Sequence, residues 1–266
     1  MTGTGPAERP VALVTGASGG IGLELARVLA AHGHDTVLVA RSADPLEAAA
    51  GELERVHGVR TWPIPLDLGP PAAPWDLARR LDELGLEVEI LVNNAGFGVW
   101  GPFLETDPEA ERRMRDLNVG ALTALTKIFV RGMAARGRGR ILNVSSTAAF
   151  QPGPGAAVYY ATKAYVLSFS LALSVELDGT GVTVTALCPG PTRTGFARAA
   201  GADESRLFVR GRGGDPAAVA RAGYAALMRG DSLDVPGIKD RLGAFGTRLV
   251  PRRFAARVVR WLNDRA

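Results

Sequence analysis

With 266 residues, 47% hydrophobic and 22% charged, the chain has the composition of one large globular domain, and a disordered chain is excluded. Its 33 glycines and 17 prolines follow no period, which excludes a collagen-like or low-complexity sequence. A lone Cys188 and three histidines, His32, His34 and His57, supply neither a disulfide scaffold nor a Cys/His metal site, so no metal and no redox pair are expected. The net charge of +4 is local: Gly237 to Ala266 holds eight Lys/Arg against two Asp, a balance of +6, which leaves −2 for the rest. A body of that sign has no need of a polyanion, and no nucleic acid is expected. No apolar run reaches the ~18–20 residues of a membrane span. The first ten residues carry neither a charged-then-apolar leader nor a small-residue cleavage site. A cytoplasmic location is therefore the expectation, with peripheral membrane contact through the basic tail as its one qualification.

Seven short β-branched or aliphatic runs occur along the chain: Val11–Thr15, Thr36–Ala40, Val59–Pro65, Val88–Asn93, Arg140–Ser145, Val182–Cys188 and Ser232–Val235. Helical-period stretches such as Ile21–His32 and Val158–Leu177 separate them, the rhythm of repeated βαβ units and a parallel sheet. No linker divides residues 1–266, so a single domain is expected. In such a sheet ligands bind at the carboxyl ends of the strands, where strand order reverses.

The first run leads directly into Gly16-Ala17-Ser18-Gly19-Gly20-Ile21-Gly22 and then a helix. Glycines there let backbone approach a pyrophosphate at a helix N-terminus, although a simple tight βα turn has the same look. The pentapeptide Gly16 to Gly20 also fits the G-x-S-x-G nucleophile elbow, with Ser18 as nucleophile of a hydrolase. That remote alternative lacks a histidine beyond position 57 and an oxyanion loop. At the end of the second run, Arg41 and Ser42 stand where an NAD-binding protein places a carboxylate. Two donors there suit a 2′-phosphate, so NADP(H) is expected in preference to NAD(H).

Tyr159 and Lys163 are four apart and share a helix face. An ammonium beside a phenol stabilises the phenolate and brings a pKa of about 10 toward use as acid or base. Tyr160, three from Lys163, remains an alternative on spacing alone. The loop Pro189 to Gly214, rich in Gly, Arg and small residues, is long enough to be functional.

Thr15-Gly16-x-x-x-Gly20-x-Gly22, Asn93-Asn94-Ala95-Gly96, Asn118, Ser145-Ser146, Tyr159-x-x-x-Lys163 and Pro189-Gly190 occur in one order over residues 11 to 197. In that order and spacing the chain resembles the compact short-chain dehydrogenase/reductases. The resemblance implies an α/β fold, a Rossmann-like doubly wound parallel sheet of about seven strands with helices on both faces. It also implies hydride transfer between a nicotinamide cofactor and a carbonyl or secondary alcohol. Ser146, thirteen before Tyr159, then polarises the substrate carbonyl, Tyr159 exchanges its proton, and Lys163 binds ribose hydroxyls while lowering the tyrosine pKa. Asn118 holds a water that links the lysine to solvent. The cofactor set is Thr15, Gly16, Ser18, Gly20, Ile21, Gly22, Arg41, Ser42, Asp67, Leu68, Asn94, Ala95, Gly96, Tyr159, Lys163, Pro189, Gly190, Thr192 and Thr194, with Asn93 also near the adenosine half. Thr192 replaces a usual branched aliphatic, and Gly19 stands where many NADPH users carry a basic residue.

Phe97, Trp100, Phe103, Phe150, Phe196 and the loop to Gly214 are the expected pocket walls, which suits a substrate with a hydrophobic body. A non-catalytic NADP(H)-binding regulator on the same fold is the alternative, although such a protein is expected to lose its Tyr or Lys. In the tail, residues 238–266, Leu242, Phe245 and Leu249 recur at helical spacing. Pro251 suits a helix start, and Phe254, Val258, Trp261 and Leu262 continue a stripe beside Arg252, Arg253, Arg257 and Arg260. Packing within the subunit or in a homo-oligomer, dimer or tetramer, is the first expectation for this stripe, and an anionic membrane surface the second.

Overall fold

The structure, a computed structural model, describes residues 9–210, 213–247 and 249–264. Seven parallel strands form one sheet: β1 Val11–Thr15, β2 Asp35–Ala40, β3 Thr61–Pro65, β4 Val88–Asn93, β5 Gly139–Val144, β6 Val182–Leu187 and β7 Leu233–Asp234. Their order is β3-β2-β1-β4-β5-β6-β7. All seven expected runs are strands, with ends shifted by one or two residues where side-chain pattern does not decide a terminus. Val11, Ala12, Leu13 and Val14 of β1 and Ile90, Leu91 and Val92 of β4 are buried. Helices cover both faces, which is why these runs are continuously apolar rather than alternating.

On one face lie α1 Gly20–Ala31 and α2 Ala43–His57, with α9 Pro216–Arg229 beside α1. Leu25, Leu29, Leu46, Leu53 and Leu227 form that core. The other face carries α3 Ala73–Glu83, α5 Leu122–Ala135 and α6 Ala157–Glu176, with Leu77, Leu81, Leu125 and Met133 packed on the sheet. Between β4 and α5 the chain runs through α4 Pro108–Arg115 and a π-helical turn, Asp116–Ala121. The loop from Pro189 is not extended coil. It holds α7 Phe196–Ala200 and α8 Arg206–Arg210, and it closes on itself where Arg193 N donates to Gly214 O at 3.0 Å and Gly214 N to Pro191 O at 2.8 Å.

At the edge, β3 reads Thr-Trp-Pro-Ile-Pro. Leu66 N donates to Ala40 O and Thr36 N to Arg60 O, so even-numbered residues of this segment bond to β2 and odd-numbered ones face outward. Pro63 and Pro65 fall on the outward side, where a missing N–H costs no ladder bond. The outward Thr61 N–H donates to Glu54 Oε1 at 3.0 Å.

The tail folds as α10 Ile238–Gly246 and α11 Arg252–Asn263. Leu249 lies beyond the end of α10, so the expected Leu242-Phe245-Leu249 spacing is not one helix. The second stripe is divided. Phe254, Val258 and Trp261 are exposed, while Ala255, Val259 and Asn263 are buried and Leu262 turns with Val259 toward a cleft. One helix thus has an apolar arc wider than the body covers.

Gly181 leads into β6 with φ +78°, and a Cβ there would lie 1.9 Å from Gly137 O. Left-handed backbone costs a non-glycine residue about 1–2 kcal/mol before any clash. Gly181→Ala should destabilise the protein by more than about 2 kcal/mol in urea unfolding, and a loss below about 0.5 kcal/mol would contradict this packing.

Candidate active site

The sheet order places β2 and β4 on either side of β1, so the carboxyl ends of β1 and β4 part to leave a crevice. A side-chain and backbone staple fixes that parting. Thr15 Oγ1 donates to Val92 O at 3.2 Å and accepts from the N–H of Asn94 and of Ala95, both at 3.0 Å. Asn94 Nδ2 returns two bonds, to Thr15 O at 2.9 Å and Gly16 O at 3.2 Å. Deeper still, Asn93 Nδ2 donates to Asn143 Oδ1 and Thr126 Oγ1, and Asn143 Nδ2 to Ser170 Oγ, which ties β4, β5, α5 and α6 beneath the site.

Above these ends opens a cleft of about 860 Å³. One end is the glycine turn. Gly16 and Gly20 have φ of +68° and +57°, and a Cβ on Gly22 would meet Gly16 O at 2.3 Å. Backbone therefore occupies space that side chains would fill, at the N-terminus of α1, which makes a cradle of suitable charge for phosphate. Gly16, Ser18, Gly20 and Ile21 line the cleft. Arg41 and Ser42 line it as well, both exposed, with no partner among the described residues for either side chain. Ser42 occupies the N-cap position of α2 without bonding its backbone, so both groups keep free donors. Asp67, Leu68, Asn94, Ala95, Gly96, Pro189, Gly190, Thr192 and Thr194 complete the lining on this side. Asp67 Oδ1 accepts from Gly69 N at 3.0 Å, so it also shapes its own turn.

At the other end, Ser146, Tyr159 and Lys163 come together. Ser145 Oγ donates to Lys163 O at 2.8 Å and so pins α6 against the end of β5. Lys163 Nζ donates to Val144 O at 2.9 Å and lies 5.9 Å from the centre of the Tyr159 ring. Burial, with few compensating contacts, lowers its pKa to about 8. Burial also raises the phenol of Tyr159, with the Ser146 side chain pulling the other way. The expected lowering of the tyrosine by Lys163 is thus outweighed: the ammonium lies over the ring face, away from the hydroxyl's own hydrogen bond, and desolvation dominates. Ser146 Oγ caps the turn Thr147–Phe150 by accepting from Ala148 N at 3.1 Å and donates to Pro189 O at 3.4 Å, a long bond that a substrate carbonyl at the cleft would have to replace. The adjacent tyrosine is engaged elsewhere, since Tyr160 Oη donates to Asn263 Oδ1 at 3.3 Å.

Several expected residues lie behind the lining. Thr15 and Gly22 are buried under the turn, because they build it. Asn93 points into the polar network already described. Asn118, on the π turn, spends its amide on Phe97 N, Phe97 O and Thr162 Oγ1 at 3.1, 2.9 and 3.2 Å; its Oδ1 would be 2.8 Å from a Cβ on Gly96. It holds the strand-end segment by direct bonds. Phe97, Trp100 and Phe196 wall the cleft as expected. Phe150 instead packs against the core around Leu167, Cys188 and Val235, and Phe103 is exposed. The missing walls come from Phe208 and Leu207 of α8 and from Val259 and Leu262 of α11. Leu207 and Phe208 lie in the loop to Gly214, itself an expected wall, and Leu262 belongs to the tail stripe, whose inward side the spacing did not identify; Val259 carried no sequence signal. The Trp100 Nε1 is buried and has no acceptor among the described residues. None of His32, His34 or His57 hydrogen-bonds Ser18, so the hydrolase alternative gains nothing from the structure.

A family model described as short chain dehydrogenase matches residues 10–205. The very-long-chain 3-oxoacyl-CoA reductase of Anas platyrhynchos is 36% identical over 189 residues, covering 70% of this chain and 60% of the duck protein's length. The NADP-dependent 3-hydroxy acid dehydrogenase of Salmonella typhi is also 36% identical, over 68% of this chain and 71% of its own. A short-chain dehydrogenase from Sphingobium yanoikuyae, solved in complex with NADPH, superimposes with a TM-score of 0.81 at 34% identity, over 90% of this chain and 94% of that one.

The buried ammonium makes a stability prediction with a definite sign. With a folded pKa of about 8 against an ordinary 10.5 in the unfolded chain, Lys163 is charged in both states below pH 8, where its burial penalty is fully present. The penalty, on the order of 3 kcal/mol from ~1.4 kcal/mol per pKa unit, is relieved as pH rises from 8 toward 10.5. Lys163→Met should therefore melt several degrees above wild type at pH 7 without cofactor, the difference shrinking through that window. A lower melting temperature for the variant at pH 7 would contradict the assignment.

Proposed function

Since this chain belongs to the short-chain dehydrogenases, oxidoreductases acting on CH–OH and C=O groups, we propose that it is an NADP(H)-dependent reductase of carbonyl compounds with an apolar body. The observation that carries this reading is the convergence of Ser146, Tyr159 and Lys163 at one end of the cleft, with a glycine cradle and two free donors at the other. The nicotinamide would supply the hydride for the carbonyl carbon.

The chain's own residues do the rest. Ser146 donates a hydrogen bond to the carbonyl oxygen, where negative charge develops. Tyr159 delivers the proton to that oxygen, and its burial keeps the phenol protonated until then. Lys163, once ribose hydroxyls and the developing phenolate stand near it, stabilises the negative form of Tyr159. Asn118 holds Phe97 and Thr162 in place beside them and acts as a positioning residue. Gly16, Ser18, Gly20 and Ile21 would receive the pyrophosphate, Asp67 and Leu68 the adenine, and Arg41 and Ser42 a 2′-phosphate. Phe97, Trp100, Phe196 and Phe208 exclude water from the reacting end and favour an apolar substrate. The buried Trp100 N–H would reward an acceptor on the substrate.

Two measurements test this. Tyr159→Phe keeps the ring and removes the acid, so turnover should fall by the ~10²–10⁴ associated with a general acid, with NADPH affinity nearly unchanged. Tyr160→Phe should be mild, and Ser146→Ala should cost roughly 10²-fold. Retained turnover in Tyr159→Phe would refute the mechanism. Arg41→Asp should weaken NADPH binding by about 2–4 kcal/mol in a fluorescence titration. Equal affinity of the wild type for NADH and NADPH would refute the cofactor preference.

A further inference from the structure

Helices α10 and α11 each present an exposed apolar ridge on one side. Ile238, Leu242 and Phe245 recur at i, i+4 and i+7 in α10 and are 79%, 67% and 58% exposed. Phe254, Val258 and Trp261 repeat that spacing in α11 at 54%, 43% and 49%. Leu249 and Val250, between the helices, are exposed as well. Among the described residues, eight of the seventeen large exposed hydrophobics fall in this one stretch, which is not the single scatter of an ordinary surface.

The ridges are not faces that failed to dock. Each helix already meets the body on another side, α10 through Ala244 and α11 through Ala255, Val259 and Asn263. Asn263 Nδ2 donates to Pro154 O at 2.9 Å, Arg206 N to Asp264 O at 3.1 Å and Arg206 Nη1 to Trp261 O at 3.0 Å, with the Arg206 guanidinium over the Trp261 indole. The outward direction of the ridge on α11 is thereby fixed.

Charge beside the ridges selects what covers them. Arg253, Arg257 and Arg260, again at i, i+4 and i+7, run along one side of the α11 ridge, and Arg252 opens the helix. None of these four guanidinium groups pairs with a carboxylate among the described residues. Lys239 and Arg241 flank the α10 ridge, Arg241 lying 3.6 Å from Asp234, while Asp240, the acid of that helix, is turned against Gly190. A second copy joined through this face across a two-fold axis would set cation against cation. A bilayer surface with anionic headgroups meets both features, taking apolar side chains at its acyl boundary and guanidinium groups at its phosphates. No helix among the described residues is long and apolar enough to cross a membrane, so the contact is with a surface. We propose that α10 and α11 seat this protein on anionic lipid bilayers, with the two apolar ridges inserted and the arginines at the headgroups.

Flotation of the full chain with phosphatidylcholine vesicles, with and without phosphatidylglycerol, tests the proposal. Recovery with the anionic vesicles should exceed that with neutral ones by at least about tenfold and should fall with added salt. The double variant Phe254→Glu, Val258→Glu should lose flotation, and so should replacement of Arg253, Arg257 and Arg260 by Ala. Neither variant touches the cleft lining, so circular dichroism and turnover on a water-soluble carbonyl should match the wild type. Flotation is read without any turnover, so its failure is separable from failure of the reductase reading. Absence of flotation, or equal recovery on neutral vesicles, would overturn the proposal. So would a stable dimer in sedimentation velocity that Phe254→Glu, Val258→Glu converts to monomer, because the ridges would then be a protein interface.

Discussion

The ammonium of Lys163 is the group around which the reacting end of the cleft is built. It is buried, it bonds one backbone carbonyl, and it is carried on a helix whose own backbone is fastened to the end of β5 by Ser145. Burying a cation with so little around it opposes folding, and the fold tolerates it because the sheet and its two helical layers supply a large apolar core. What the cost secures is position. The lysine can neither swing into solvent nor be screened by it, and it meets the phenol ring of Tyr159 from one side only. Such stored instability is common where a charge is needed by chemistry rather than by structure.

The geometry also gives the neighbouring tyrosines different work. They are consecutive on one helix, both buried and both against Trp100, yet their hydroxyl groups part. Tyr159 is left to the cleft, and Tyr160 is held by Asn263, more than a hundred residues away. Helix α11 therefore reaches the site twice, once through that bond and once through Val259 and Leu262 in the wall. The remote end of the chain sets the shape of the space beside the reacting atoms.

Much of this was legible in the sequence, and the rest was hidden for identifiable reasons. Strand runs could be read because helices cover both faces of the sheet and force continuous apolar stretches. The glycine turn, Arg41, Ser146 and Tyr159 were legible because backbone approach, free donors and proton transfer restrict residue type at fixed spacing. Thr15, Gly22 and Asn118 carry the same kind of signal while standing one layer behind the cleft, since a motif records what a site needs without saying which atoms face the ligand. Phe150 was misplaced because an aromatic near a strand end packs equally well in core or cleft, and only the turn Thr147–Phe150 decides. Val259 has no such signal, because a wall contributed from a distant segment leaves no local spacing to find, whereas Phe208 lies in the long loop whose length marks it as functional.

At the far edge of the sheet, the outward row of β3 has no backbone donor to offer: two positions are proline and the third N–H is taken by Glu54. An open edge is ordinarily a template on which a strand from another molecule can grow, and pairing of that kind leads to aggregation. Here an incoming strand would find acceptors without donors, while β7 at the opposite margin is two residues long. Growth of the sheet into a second molecule is therefore disfavoured at both margins, one row lacking donors and the other being only two residues long.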